Sequence, residues 1–229
     1  RAAQEWSGNG VGMPFCWCPA GTFTMGSPRN EPGREVDEDQ VQVTFSKGYW
    51  LARSETTQRQ WQKVMSRSPW SGQFDGVDGQ DLPATHVTWN LAMEFCQQLT
   101  ASERQAGRLP ADWSYSLPTE AQWEYACRAS TRTPYWFGAD GTAIGDCSWN
   151  RLNSNGAIHA VGTKRANPWG LYDVTGNAWE WCRDYAGPTL PGKTDPEVLS
   201  GGSHRALKGG GFLTSRGDYR SGDRSPLPP

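Results

Sequence analysis

The segment Asn167-Pro168-Trp169-Gly170-Leu171-Tyr172-Asp173-Val174-Thr175-Gly176-Asn177-Ala178-Trp179-Glu180-Trp181 constrains this chain more than any other. If its last residues are extended, Trp179 and Trp181 project to one side and the Glu180 carboxylate to the other, because side chains alternate along a strand. A turn rich in oxygen ligands precedes them: Asp173, the Gly176 backbone and Asn177. Asp173 and Glu180 lie seven positions apart, with Gly176 between them to let the loop fold back. Two readings follow. One is a calcium clasp, since calcium takes carboxylate and carbonyl oxygens in a flexible geometry. The other is a tight turn whose Asp and Asn bond their own backbone.

Composition limits what can surround this segment. With 27 Gly and 16 Pro in 229 residues, the chain suits a loop-rich fold better than a helical or regular β one. A net charge of -2 offers no basic field for nucleic acid. No run of about 18 apolar residues is present, so no membrane span is expected. The chain begins with Arg1 rather than Met and reads as a processed or trimmed product, from which a signal peptide could have been removed. Its 13 Trp suit either a carbohydrate-stacking surface or the core of a fold with sparse regular structure.

Local patterns place the elements. Val41, Val43 and Phe45 alternate with polar residues as a strand. Thr56 or Thr57 caps a helix over Gln58–Met65, and a second helix runs from Leu91 to about Ala106 with Phe95 and Leu99 on one stripe. Thr119 and Gln122 form a capping box after Pro118, starting a third helix with Trp123 and Cys127 on one face. Loops are expected over Ser66–Leu82, Gly107–Ser116, Ser130–Gly145 and Ala186–Ala206, and the acidic stretch Glu31–Gln40 reads as a solvated loop. Cys16, Cys18, Cys96, Cys127, Cys147 and Cys182 permit up to three disulfides, in 15 connectivities. None has the spacing of a zinc clasp.

Several blocks, in order, resemble the formylglycine-generating-enzyme (sulfatase-modifying factor) family. They are Pro19-Ala20-Gly21-Thr22-Phe23-Thr24-Met25-Gly26-Ser27, Tyr49-Trp50-Leu51-Ala52-Arg53-Ser54-Glu55-Thr56-Thr57, Leu117-Pro118-Thr119-Glu120-Ala121-Gln122-Trp123-Glu124-Tyr125-Ala126-Cys127-Arg128, the Asn167–Trp181 segment and Leu207-Lys208-Gly209-Gly210-Gly211-Phe212. The resemblance covers about residues 12–224. It implies an α+β fold: one irregular, loop-rich domain of variant C-type-lectin type over residues 1–229. It places Trp89, Trp123, Trp179 and Trp181 in the core. By position it implies a structural calcium held by the Asp173 and Glu180 side chains and the Gly176 and Ala178 carbonyls. Gly209-Gly210-Gly211 reads as close backbone packing.

Authentic family enzymes activate oxygen on copper(I) held by two cysteines, and soft thiolates are what that ion requires. Aligned without gaps from Gly209-Gly210, those positions hold Thr214 and Tyr219; the family's oxygen-pocket serine falls at Gly211 and a neighbouring histidine at Ser215. These are degenerate catalytic positions, so neither copper nor formylglycine formation is expected. Arg220 and Arg224 match anchors of the terminal segment. His86, His159 and His204 have no close spacing; the first two sit at positions that look structural. The family's vertebrate-type partners for Cys96 and Cys127 are missing, which leaves them as free buried thiols or in new pairs.

Two function classes follow. The first is a non-catalytic extracytoplasmic scaffold that binds a ligand or protein partner, or assembles with itself; carbohydrate is a further candidate ligand. The second is a divergent oxidase or maturation factor, of sulfatase or siderophore type, with a relocated active site. The missing copper residues favour the first. Export is expected from the cysteine content and from the family. The family's final Gly-Phe-Arg strand has no counterpart in Ser225-Pro226-Leu227-Pro228-Pro229. Either the native protein is longer, or a sheet edge is left open after Arg224 for another chain, since proline donates no hydrogen bond.

Overall fold

Three helices begin where a threonine can take up the free N–H groups of the first turn. In a computed structural model, which describes residues 4–6, 8–74, 76–215 and 219–229, Thr57 caps α1 (Gln58–Gln62), Thr88 caps α2 (Trp89–Gln105) and Thr119 caps α3 (Glu120–Arg128). Thr57 and Thr119 form full capping boxes with Gln60 and Gln122. Helix α1 is shorter than the sequence pattern suggests. Its last turn is tightened at Val64, whose N–H bonds the Trp61 carbonyl. A fourth, four-residue helix, α4 (Ile144–Cys147), closes the loop after α3.

The strands are short: β1 (Glu5–Trp6), β2 (Phe15–Cys18), β3 (Gly21–Met25), β4 (Val41–Phe45), β5 (Tyr49–Ala52), β6 (Glu180–Tyr185), β7 (Lys193–Thr194), β8 (Arg205–Lys208) and β9 (Ser225–Leu227). They form three three-stranded sheets, ordered β1-β2-β5, β3-β4-β7 and β6-β8-β9. The first sheet separates two apolar clusters. Alternation sends Cys16, Cys18, Tyr49 and Leu51 to one cluster and Phe15, Trp50 and Ala52 to the other. The first cluster also holds Trp123, Tyr125 and Cys127 of α3; the second holds Trp61, Trp70, Phe95 and Leu99. The fold is α+β and loop-rich, as composition implies. Among the described residues no helix is long and apolar enough to cross a membrane.

Four expectations change. The six cysteines form no disulfides: each is a buried free thiol, five in the first cluster and Cys96 in the second. Burial pushes the Cys16 thiol up to about 11 and those of Cys96 and Cys127 up to about 12, so they behave as small apolar side chains rather than nucleophiles. The acidic stretch is only partly solvated. Glu38 is wholly buried and Glu31 nearly so, and both receive Arg220, at 2.6 and 3.0 Å. The edge after Arg224 is not open, because β9 pairs antiparallel with β8 through Ser225, Pro226 and Leu227. Proline is tolerated there because β9 is itself an edge strand, with no second neighbour among the described residues. Lastly, Trp89, Trp179 and Trp181 are only half-buried, unlike Trp123 in the core.

Arg220 and Arg224 hold the C-terminal segment. The Arg220 guanidinium meets both oxygens of Glu38 and the Gly33 carbonyl, while Arg224 forks onto both oxygens of Glu120 at 2.8 and 2.7 Å. Beside them, Glu124 receives Arg128 at 2.8 Å and Lys208 at 3.4 Å, all buried.

Candidate cation turn and aromatic cavity

The turn before β6 is built from backbone that most residues avoid. Asp173 and Asn177 have φ of 56° and 60°, and Gly176 has φ of 84°. A side chain at Gly176 would strike the Trp149 carbonyl at 2.3 Å, so glycine is required there. Hydrogen bonds fix the rest. Gly176 donates to the Gly209 carbonyl, Asn177 donates to the Trp149 carbonyl through its backbone, and the Asn177 side chain bridges Glu55 and His159. One oxygen of Asp173 accepts from the Gly162 N–H at 2.6 Å.

Three carboxylates lie within reach of one another's charge around the turn. Asp173 and Glu180 come from the turn and β6; Glu55, which sequence reasoning passed over, joins them from the chain between β5 and α1. Burial and then the charges of Asp173 and Glu180 push Glu55 well above the ordinary carboxylate range. Burial raises Asp173 as well, and burial with the charge of Asp173 lifts Glu180 to about 8. One oxygen of Asp173 and one of Glu55 are buried with no fixed donor beside them, and in the absence of an ion the raised Glu55 carboxyl is in hydrogen-bonding reach of Asp173. These orphaned hard oxygens fit a divalent cation such as calcium. Among the described residues, no three acidic, histidine or cysteine side chains are grouped tightly enough to hold an ion alone. An ion here therefore needs backbone oxygens too, and the family resemblance names the Gly176 and Ala178 carbonyls for that part. Glu55 carried one signal in the sequence: an acid in the short link between β5, which ends at Ala52, and the α1 cap at Thr57.

The degenerate catalytic positions do come together, but as a hydrogen-bonded knot. The Tyr219 hydroxyl donates towards the Gly211 carbonyl at 2.9 Å and lies against the Thr214 carbonyl. The Gly211 N–H donates to the Thr214 hydroxyl at 2.8 Å, and the Phe212 N–H reaches the Asn177 carbonyl. Ser215 is exposed at the end of the described loop. This is an oxygen set, partly spent on the backbone, and it does not fit copper(I). Gly211 packs against the Trp179 ring, where an added Cβ would lie 3.1 Å from it. The glycine run thus serves close packing.

Beside the turn lies a cavity of about 650 Å³ between β5, α2, the loop at residues 109–118 and the start of β6. Trp50, Trp61, Tyr115, Trp179 and Trp181 give it aromatic walls, with Arg183 at its polar edge. Trp181 is fixed by its indole N–H, which donates to the Val87 carbonyl at 2.8 Å, and Arg183 by the Ser116 hydroxyl. His159 is far from any metal role: it stacks on Trp149 at 3.6 Å and bonds the Ser154 carbonyl.

Comparison with known proteins agrees with this architecture. The model of the sulfatase-modifying factor enzyme 1-like domain matches residues 12–229. The chain is 28% identical over 216 residues to the chaperone protein LppX of Paenibacillus barcinonensis, covering 76% of this chain and 72% of the relative. It is 33% identical over 162 residues to the formylglycine-generating enzyme of Streptomyces coelicolor, covering 64% of this chain and 47% of the enzyme. The match thus spans about half the length of that enzyme. The structure of PvdO from Pseudomonas aeruginosa superposes with a TM-score of 0.86 at 23% identity, covering 100% of this chain and 94% of that one, which shows a shared fold. The chain belongs to the sulfatase-modifying factor family.

Proposed function

We propose that this member of the sulfatase-modifying factor family is a non-catalytic, extracytoplasmic domain that binds a protein partner in its aromatic cavity. One observation carries the reading: the two positions aligned with the copper thiolates are a threonine and a tyrosine, and the tyrosine hydroxyl is turned onto the loop's own carbonyls. All six thiols are buried in the two apolar clusters, where they pack as core. A relative named a chaperone protein supports a role in which a polypeptide is held rather than oxidised.

The same reading includes a structural calcium ion bound by Asp173, Glu180 and the Gly176 and Ala178 carbonyls, with Glu55 beside them. The orphaned oxygens of Asp173 and Glu55 support it. When bound, the ion supplies charge compensation and ties the turn to β5; the chain's own residues do the binding. The extracytoplasmic location rests on the family alone, because six free thiols withdraw the cysteine argument for export. The testing experiment is anaerobic copper(I) titration against a chromogenic chelator, beside a formylglycine-generating enzyme with both cysteines. The control takes up copper and this protein leaves it with the chelator; tight uptake of one equivalent by this protein would overturn the reading.

A further inference from the structure

Strand β5 ends its sheet. It pairs with β2 on one side, and among the described residues no strand pairs with its other side. The direction of each backbone group on β5 follows from the register. The Trp17 N–H bonds the Gln4 carbonyl, so Trp17 faces β1, and the opposed pair Trp17 and Trp50 is a non-hydrogen-bonded one. Cys18 with Tyr49 and Cys16 with Leu51 are then the bonded pairs, and the Arg53 N–H continues that alternation onto the Pro14 carbonyl. The N–H and C=O groups of Trp50 and Ala52 consequently point away from β2.

They point along the cavity. Its wall includes the whole run from Lys47 to Ala52, and across from it lie the loop to Pro118 and the start of β6. That far wall is itself strand-like, because the Arg183 N–H bonds the Pro118 carbonyl at 2.8 Å. The slot is thus bordered by a free strand edge, with indoles of Trp50 and Trp181 on its sides. A sugar could stack on the indoles, but it has no use for a row of amide groups at strand spacing. An extended peptide uses both.

We propose that a partner's polypeptide segment docks here as an added β-strand, pairing its main chain with Trp50 and Ala52 and placing apolar side chains at alternate positions against the aromatic walls. This rests on the protein-binding reading above and names the partner's conformation and contact atoms. Four residues of β5 offer an edge about 13 Å long, which suits a segment of four or five residues.

The probe is a blocked pentapeptide of alternating threonine and valine, followed by protein tryptophan fluorescence, with the same peptide N-methylated at its three central amides as control. The unmodified peptide is expected to bind at least tenfold more tightly than the methylated one. Amide exchange at Trp50 and Ala52 should slow at least tenfold when it binds, while Leu51, already paired with β2, stays unchanged. Ala52→Pro removes an edge donor that β2 does not use and should abolish peptide binding with the melting temperature largely kept. If that variant does not fold, the methylated peptide on the unaltered protein decides alone. Equal binding of both peptides, slow exchange at Trp50 and Ala52 before any peptide is added, or no binding of the unmodified peptide at millimolar concentration each overturns strand addition. Failure of this kind, with copper still refused, leaves the non-catalytic reading standing; copper uptake removes that reading whatever the peptide does.

Discussion

At the scale of single residues, the Tyr219 hydroxyl ties its segment back to Gly211 and Thr214. Tyr219→Phe keeps the ring, 3% exposed in the parent, and removes only the hydroxyl that bonds Gly211 and Thr214. A loss of about 1–2 kcal/mol in urea unfolding is expected, since a buried carbonyl loses its donor; no change would mean that water already serves those carbonyls. Arg220 bears more. Arg220→Met leaves Glu38 buried without its partner and should cost about 3–5 kcal/mol, against a smaller loss for the paired Glu38→Gln/Arg220→Met variant. The pH dependence has a definite sign. Burial alone would push the Glu38 carboxyl up, but Arg220, helped by Ser27 and the Glu35 backbone, holds it below its ordinary value of 4.5. Glu124 behaves alike, with Arg128 and Lys208 outweighing burial. Their stabilisation is therefore complete above the ordinary carboxylate range and is lost as pH falls through the lowered values, so the melting temperature should drop on acidification below about pH 4.5.

At the scale of elements, capping chemistry was the most legible part of the sequence. Thr119 and Gln122 announce α3, and the structure gives both hydrogen bonds of the box. Thr119→Ala should cost about 1 kcal/mol. The acidic turn was also legible in its residues, but not in its full membership. Glu55 lies over a hundred positions upstream of Asp173, and only the tertiary fold carries it there. In the ion-free turn the raised carboxyls act opposite to Glu38. Glu180 ionises near 8 when folded against 4.5 ordinarily, so stability falls as pH rises between those values. Calcium should remove that decline, and its stabilisation should be larger at pH 8 than at pH 6. Calorimetry with calcium and with a chelator at the two pH values checks this; identical curves would contradict the calcium proposal.

At the scale of the whole molecule, composition foretold an irregular fold but not what its irregular parts do. The acidic stretch at Glu31–Gln40 looks solvated when read locally, because its partner Arg220 is nearly two hundred positions away. The cysteine count suggested bridges, yet the thiols face the apolar clusters, where they pack as core. Proline at 226 argued against a strand, but an edge position uses only one side of the backbone. The cavity could not be read at all, since its walls come from five separated stretches of chain. The central claim is that this architecture persists without the family's oxidative chemistry. The most direct measurement is mass spectrometry of a cysteine-containing sulfatase-motif peptide incubated with the protein, copper(I), oxygen and a thiol reductant, beside an active formylglycine-generating enzyme. The account predicts that the peptide's cysteine stays intact with this protein while the control converts it; conversion to formylglycine by this protein over repeated turnovers would contradict the account.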